Sequence, residues 1–216
     1  MSILLTEVEA RVVGSLVEKQ LTTPEYYPMT LNALTNACNQ KSNREPVVSY
    51  TEDVVTKAIE SLRVKNVAYV FYGSTSRVPK YKHMLPEVYE LDRKEVAIIA
   101  VLMLRGAQTL GELRERTSRL YEFSGLGEVN ETLDGLMTRD TPLVIQLPRQ
   151  QGQKETRFAH LLCGEIDLEA LAETAAVSNR AGSNDRLAKL EQEVEALTAE
   201  MQNLRQMFED FKKQFE

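Results

Sequence analysis

Lys41, Ser42, Asn43 and Arg44 stand together in one polar run, and Arg77, Lys80 and Lys82 follow around a short Gly-Ser-Thr-Ser turn. Thr56, Lys57 and Arg63 lie between the two groups, and Tyr81 sits among the later cations. Lys and Arg bond phosphate oxygens, while Asn and Arg also bond base edges. The chemistry these residues could do as a set is recognition of a polyanion, with double-stranded DNA as the expected partner. Catalytic chemistry finds no comparable set. The two histidines, His83 and His160, occupy matching places in two similar segments, which reads as a shared packing role. No Cys, His or acid cluster has the spacing of metal ligands. Gly125-Leu126-Gly127 is a lone fragment without the context of a phosphate loop. No serine or threonine is paired with a general base. The sequence therefore reads as a non-enzyme without cofactor or metal.

The elements that would carry these cations can be read from periodicity. A capping box, Thr6-x-x-Glu9, opens a first helix with Val12, Val13, Leu16 and Val17 as its buried stripe. Pro24 and Pro28 bound a loop. A second helix, from Thr30 to about Asn39, puts Leu31, Leu34 and Cys38 on one face, so Cys38 reads as a small core residue. The polar run to Tyr50 is too long for an ordinary helix-turn-helix turn. A box at Ser49-x-x-Glu52 starts a third helix, to about Lys65, that buries Val55, Ile59 and Leu62. Thr56, Lys57, Glu60 and Arg63 point away. Val67–Tyr72 and Val78–His83 read as two strands, with Pro79 placing the second at an edge.

The same order then recurs. Asp92-x-x-Glu95 with Ile98, Ile99 and Leu102 repeats the first helix, and Thr109–Leu113 repeats Thr30–Leu34. Val129, Leu133 and Leu136 repeat Val55, Ile59 and Leu62, and Arg157–Leu162 repeats Lys80–Leu85. Leu143–Leu147 and Thr156–Leu162 form the second hairpin, with Gln150–Gln153 at its tip. The fold expected is mainly α with small β-hairpins (α+β): two tandem winged helix-turn-helix domains, 1–88 and 89–165. A short acidic helix and linker over 166–185 follow, and then a coiled-coil helix over 186–216. In the winged layout the third helix can lie in a major groove while the hairpin touches phosphates. The last segment carries heptads at Leu187, Leu190, Val194, Leu197, Met201, Leu204, Phe208 and Phe211. At about 1.5 Å per residue it would run roughly 45 Å and needs a partner, a second copy being the first expectation.

Charge complicates the DNA reading. The 216 residues carry a formal net charge of −6. Residues 1–90 hold ten Lys and Arg against ten Asp and Glu, residues 91–165 ten against eleven, and residues 166–216 six against eleven. The excess is thus mostly on the tail, and a neutral first unit can still present a basic face. Glu52, Asp53 and Glu60 on the third helix, and Glu128, Glu131 and Asp134 on its second copy, would repel phosphates. The second copy is therefore expected not to read a groove with that helix. Arg114, Arg116 and Arg119 read as a solvated helix face. The competing reading is a protein–protein adaptor built on the same helices and the tail. The longest apolar run, Val96–Leu104, is far short of the roughly 20 residues a membrane span needs, so no membrane is expected. With no basic leader and only Cys38 and Cys163, the compartment reads as cytoplasm.

The run Leu34–Val47, the opening Leu5–Val12, Glu18-Lys19-Gln20 and Pro24–Pro28 resemble the YceH-like bacterial proteins of unknown function. The resemblance covers both repeated segments. It implies two winged helices in tandem and a Gram-negative cytoplasm, and it assigns no activity, cofactor or site residue.

Overall fold

The structure, a computed structural model, describes residues 3–72, 78–149 and 155–166. Residues 3–166 belong to one compact unit of α+β type, with seven helices and two small antiparallel sheets among the described residues. Arg77, both hairpin tips, the acidic helix and the heptad residues Leu187, Leu190, Val194, Leu197, Met201, Leu204, Phe208 and Phe211 lie outside the described residues.

Helix α1 spans Glu7–Thr22, followed by a single 3-10 turn at Pro24–Tyr26. Strand β1 is Met29–Thr30, α2 is Leu31–Cys38, α3 is Glu52–Val64, β2 is Ala68–Phe71 and β3 is Lys80–His83. A short helix α4, Leu85–Tyr89, leads to α5, Arg93–Arg105. The order then repeats: β4 Gln108–Thr109, α6 Leu110–Thr117, α7 Leu126–Met137, β5 Val144–Leu147 and β6 Arg157–His160. Both sheets have the same plan. The two-residue first strand and the four-residue second strand each pair with the last one, giving β1-β3-β2 and β4-β6-β5.

That plan corrects the edge position inferred from Pro79. Strand β3 is central, pairing with β2 through Tyr69↔Lys82 and with β1 through Thr30↔Lys80. Pro79 stands just outside the ladder, immediately before its first residue, where no N–H is needed. The two-residue strands β1 and β4 are too short to show a period-2 pattern, so the sequence reads straight through them into the helices they precede.

The helix starts follow local chemistry. Thr6 and Glu9 form the expected capping box, as do Asp92 and Glu95, and a third box joins Thr109 to Glu112. The box expected at Ser49 is replaced: Thr51 is the N-cap of α3 and accepts from the Val54 N–H. Glu52 instead lies inside the first turn and accepts from Asn32 Nδ2 at 3.2 Å. The Glu9 carboxylate does a second job, binding Lys65 Nζ at 2.7 Å and so tying the start of α1 to the end of α3. Burial works against that carboxylate, yet Lys65, Ser61 and the Thr6 N–H hold its pKa below the ordinary range.

The core explains the two most apolar stretches. Every residue from Glu9 to Val17 in α1 is buried, and every residue from Val96 to Leu104 in α5. Each helix is covered by its own sheet and partner helices on one side and by the other helix on the opposite side. A helix enclosed in this way loses the usual polar face. The two cross closely: a Cβ placed on Gly14 would stand 3.0 Å from Leu104 Cγ and 3.2 Å from Met103 Cβ. Helix α5 then stops at Gly106, whose φ of 67° suits a residue without a Cβ. Among the described residues no helix is long and apolar enough to cross a membrane.

The two histidines take equivalent register positions, His83 opposite Ala68 and His160 opposite Val144. His83 Nδ1 accepts from the Leu85 N–H at 3.3 Å, so Nε2 carries the hydrogen and donates to Gln20 Oε1 at 2.5 Å. Burial lowers its pKa from 6.5 to about 4. The unfolded chain therefore binds more protons between these values. Stability from neutral His83 is complete above pH 6.5 and is lost as pH falls through that window towards 4. The expected result is a loss on the order of 3 kcal/mol from His83 by pH 4, read by urea unfolding across the range. Burial lowers the His160 pKa to about 4 as well, so His83→Gln should reduce the loss in that window without abolishing it.

Candidate nucleic-acid interface

The basic run after α2 does not lie as one exposed cationic lip. Its residues divide by burial. Lys41 and Ser42 are exposed and line a cleft of about 430 Å³ with Lys19 of α1 and Arg119 beyond α6. Asn43 sits at φ 60°, a left-handed conformation that asparagine tolerates, and its Oδ1 accepts from Arg105 Nη2. The reversal at Asn43 turns the next side chain inward.

That side chain, Arg44, corrects the sequence reading. It is fully buried and pairs with Glu18 through two bonds, Nη2–Oε2 at 2.7 Å and Nη1–Oε1 at 3.1 Å. Its remaining donors go to the Ala37 and Asn43 carbonyls and to Gln40 Oε1. An arginine with every donor engaged indoors cannot reach a phosphate. The loop is long because it carries this inward staple. Arg11 supplies a second one, donating to the Cys38 carbonyl at 3.3 Å and the Pro46 carbonyl at 2.7 Å. Burial first, and then the like charge of Arg44, lowers the Arg11 pKa.

Helix α3 is amphipathic as expected, but its outer face is not a cationic reader. Lys57 is held by Asp53 at 2.8 Å, and the Thr56 hydroxyl donates back to the Glu52 carbonyl at 2.8 Å. Arg63 is exposed beside exposed Glu60 and Val64. Helix α7 is acidic outward at Glu131 and Asp134, whereas Glu128 is turned to local use. Lys94 at 2.8 Å, together with the Ser124 N–H and hydroxyl, lowers the Glu128 pKa to about 2.

The ribbon gives a clearer surface. Tyr69↔Lys82 and Phe71↔Lys80 are direct cross-strand pairs, so all four side chains share one face of β2 and β3. Tyr69 and Phe71 are exposed, as is Tyr72 just past the strand. Lys82 Nζ stands 4.8 Å from the Phe71 ring centre and 6.0 Å from that of Tyr69. Neither Lys80 nor Lys82 makes an ion pair with a described carboxylate. Val70, Tyr81 and Met29 alternate to the opposite face, where Met29 is buried. The aromatic half of this face was missed in the sequence, although the signal was there: Tyr69/Phe71 and Lys80/Lys82 each recur at period two. The lysines of β3 do not line the cleft beside Lys41, so the expected residues are brought together in two groups and not one.

No group of three or more His, Cys, Asp or Glu side chains that could hold a metal ion occurs among the described residues. Residues 5–153 match the family model described as Protein of unknown function, DUF480. The chain is 51% identical to a UPF0502 protein of Geotalea uraniireducens, with 98% of each chain covered. It is also 51% identical to one from Geobacter sulfurreducens over the whole of both chains. It is 52% identical to one from Opitutus terrae over 89% of this chain and 83% of that one. The chain belongs to this bacterial family. The resemblance carried by Leu34–Val47 and the opening segment pointed to such a family of unknown function, and the matches bear it out.

Proposed function

We propose that this is a non-enzymatic, cytoplasmic DNA-binding protein built on two tandem winged helix-turn-helix units. On this reading the first unit meets double-stranded DNA, in the manner of a transcriptional regulator. The observation that carries the reading is the ribbon face: Lys80 and Lys82, unpaired by any described carboxylate, beside exposed Tyr69, Phe71 and Tyr72. Such a wing lays cations along a phosphate backbone, with aromatic rings available against sugars. The acids on α3 assign it a lesser part than a groove-reading helix usually has, leaving Arg63 as its open cation. Arg77, which the sequence sets just after the Gly-Ser-Thr-Ser turn and which lies outside the described residues, would extend the same contact. The heptads of residues 186–216 would pair two copies as a coiled coil, so that two ribbons meet one duplex.

The test is anisotropy titration of the full chain with duplex DNA at two salt concentrations. Lys80→Glu with Lys82→Glu is expected to weaken binding at least about tenfold and to reduce the log–log salt slope by about 2. Unchanged affinity in the double variant would remove the ribbon from the interface. The acidic outer faces of α3 and α7 favour a second reading, an adaptor for a basic protein partner. In that case a pull-down would retain its partner in the double variant and lose it when Glu60, Glu131 and Asp134 are neutralised.

A further inference from the structure

Two adjoining clefts lie where α1, the loop after α2, α5 and α6 meet, with volumes of about 430 and 380 Å³. They share Glu18, Thr22, Asn43 and Arg119 as walls. Their charges do not balance. Glu18 is committed to Arg44, and Arg116 to Glu112 at 3.1 Å. Lys41, Arg105 and Arg119 face the space without an ion pair to any described residue, and Lys19 reaches only the edge of Glu18 at 3.8 Å. Glu115 is the one uncommitted carboxylate among the described lining residues.

We propose that this paired cleft binds a small phosphate-bearing anion, its phosphate held by Lys41, Arg105 and Arg119. Guanidinium forks match the oxygens of a tetrahedral oxyanion, and lysine adds a point charge. Convergent cations in a partly closed space repel one another until a counter-ion enters. Arg105 itself is half-buried, and burial first, then the charge of Arg116, lower its pKa. The inner cleft is floored by Val101, Leu104 and Leu120, which offers an apolar seat for the rest of the ligand. The combined size suits a small metabolite and is within the range of ordinary ligand pockets. The loop residues the sequence assigns to DNA, Lys41 and Asn43, belong on this proposal to a ligand site walled by both halves of the unit. The proposal stands independently of DNA binding by the ribbon.

Inorganic pyrophosphate is the probe, measured by titration calorimetry and by thermal unfolding of the full chain. Binding is expected at up to millimolar concentration, with a rise in Tm. Lys41→Gln with Arg119→Gln should weaken it at least about tenfold. Both side chains are exposed, so this variant should keep the wild-type Tm without ligand. Lys80→Glu with Lys82→Glu should bind pyrophosphate as the wild type does. No pyrophosphate binding, or binding unaffected by Lys41→Gln with Arg119→Gln, would overturn the proposal. So would loss of duplex DNA together with pyrophosphate in Lys41→Gln with Arg119→Gln, since the cleft would then be a further stretch of the backbone track.

Discussion

Arg44→Ala is expected to lower the free energy of unfolding by about 3–5 kcal/mol, read as a fall in the urea midpoint. Removing the guanidinium strands Glu18, whose side chain is only 14% exposed, and leaves the Ala37 carbonyl without two of its donors. The loss is large because one partner of a buried pair remains behind and must be desolvated alone. Arg44→Lys should recover little. An ammonium cannot span Glu18, Ala37 and Gln40 from one position, as the planar guanidinium does. Arg44→Met with Glu18→Leu, which removes both charges, should be much less damaging than Arg44→Ala. Any loss of DNA binding in an Arg44 variant would therefore track folding, and far-UV circular dichroism on the same sample separates that from a lost contact.

The second large effect belongs to the helix crossing. Gly14→Val is expected to destabilise the unit by about 2–3 kcal/mol through overpacking. The new Cβ would meet Leu104 Cγ at 3.0 Å and Cδ2 at 3.1 Å, and the Cγ atoms of valine have nowhere better to go. Leu104 is itself only 3% exposed and cannot swing into solvent. The measurement is a double-mutant cycle in urea. Leu104→Ala alone should cost about 2–5 kcal/mol, but in the Gly14→Val background it should cost much less, because the vacated space admits the valine. Additive effects would mean that the helices do not cross at Gly14.

Much of this was legible in the chain, for reasons that can be named. The two capping boxes and the repeated spacing of Val55, Ile59 and Leu62 with Val129, Leu133 and Leu136 depend only on helical geometry, and the structure buries all six. The unbroken run Val96–Leu104 reads as too short for a membrane span; that its helix is enclosed on every side is not legible, because its cover, α1, is remote in sequence. What escaped depends on contacts between distant residues. Arg44 sits among Lys41, Ser42 and Asn43, and nothing nearby says that Glu18, 26 residues earlier, will neutralise it. Lys57 is a different case: its partner Asp53 stands one turn before it, a helical i,i+4 pair that the local sequence already held. Pro79 was a sound argument against a ladder donor and a poor guide to strand order, because β1 is too short to be seen.

The mutual burial of α1 and α5 bears on how the unit melts. Each of these helices is one wall of its own half and one wall of the other, so cutting the chain near residue 88 would bare the flank of α1 that Met103 and Leu104 cover. A fragment with a helix apolar on every side tends to clump before it can fold. Two look-alike halves suggest beads on a string, each melting in its own time; this pair should come apart in a single cooperative step.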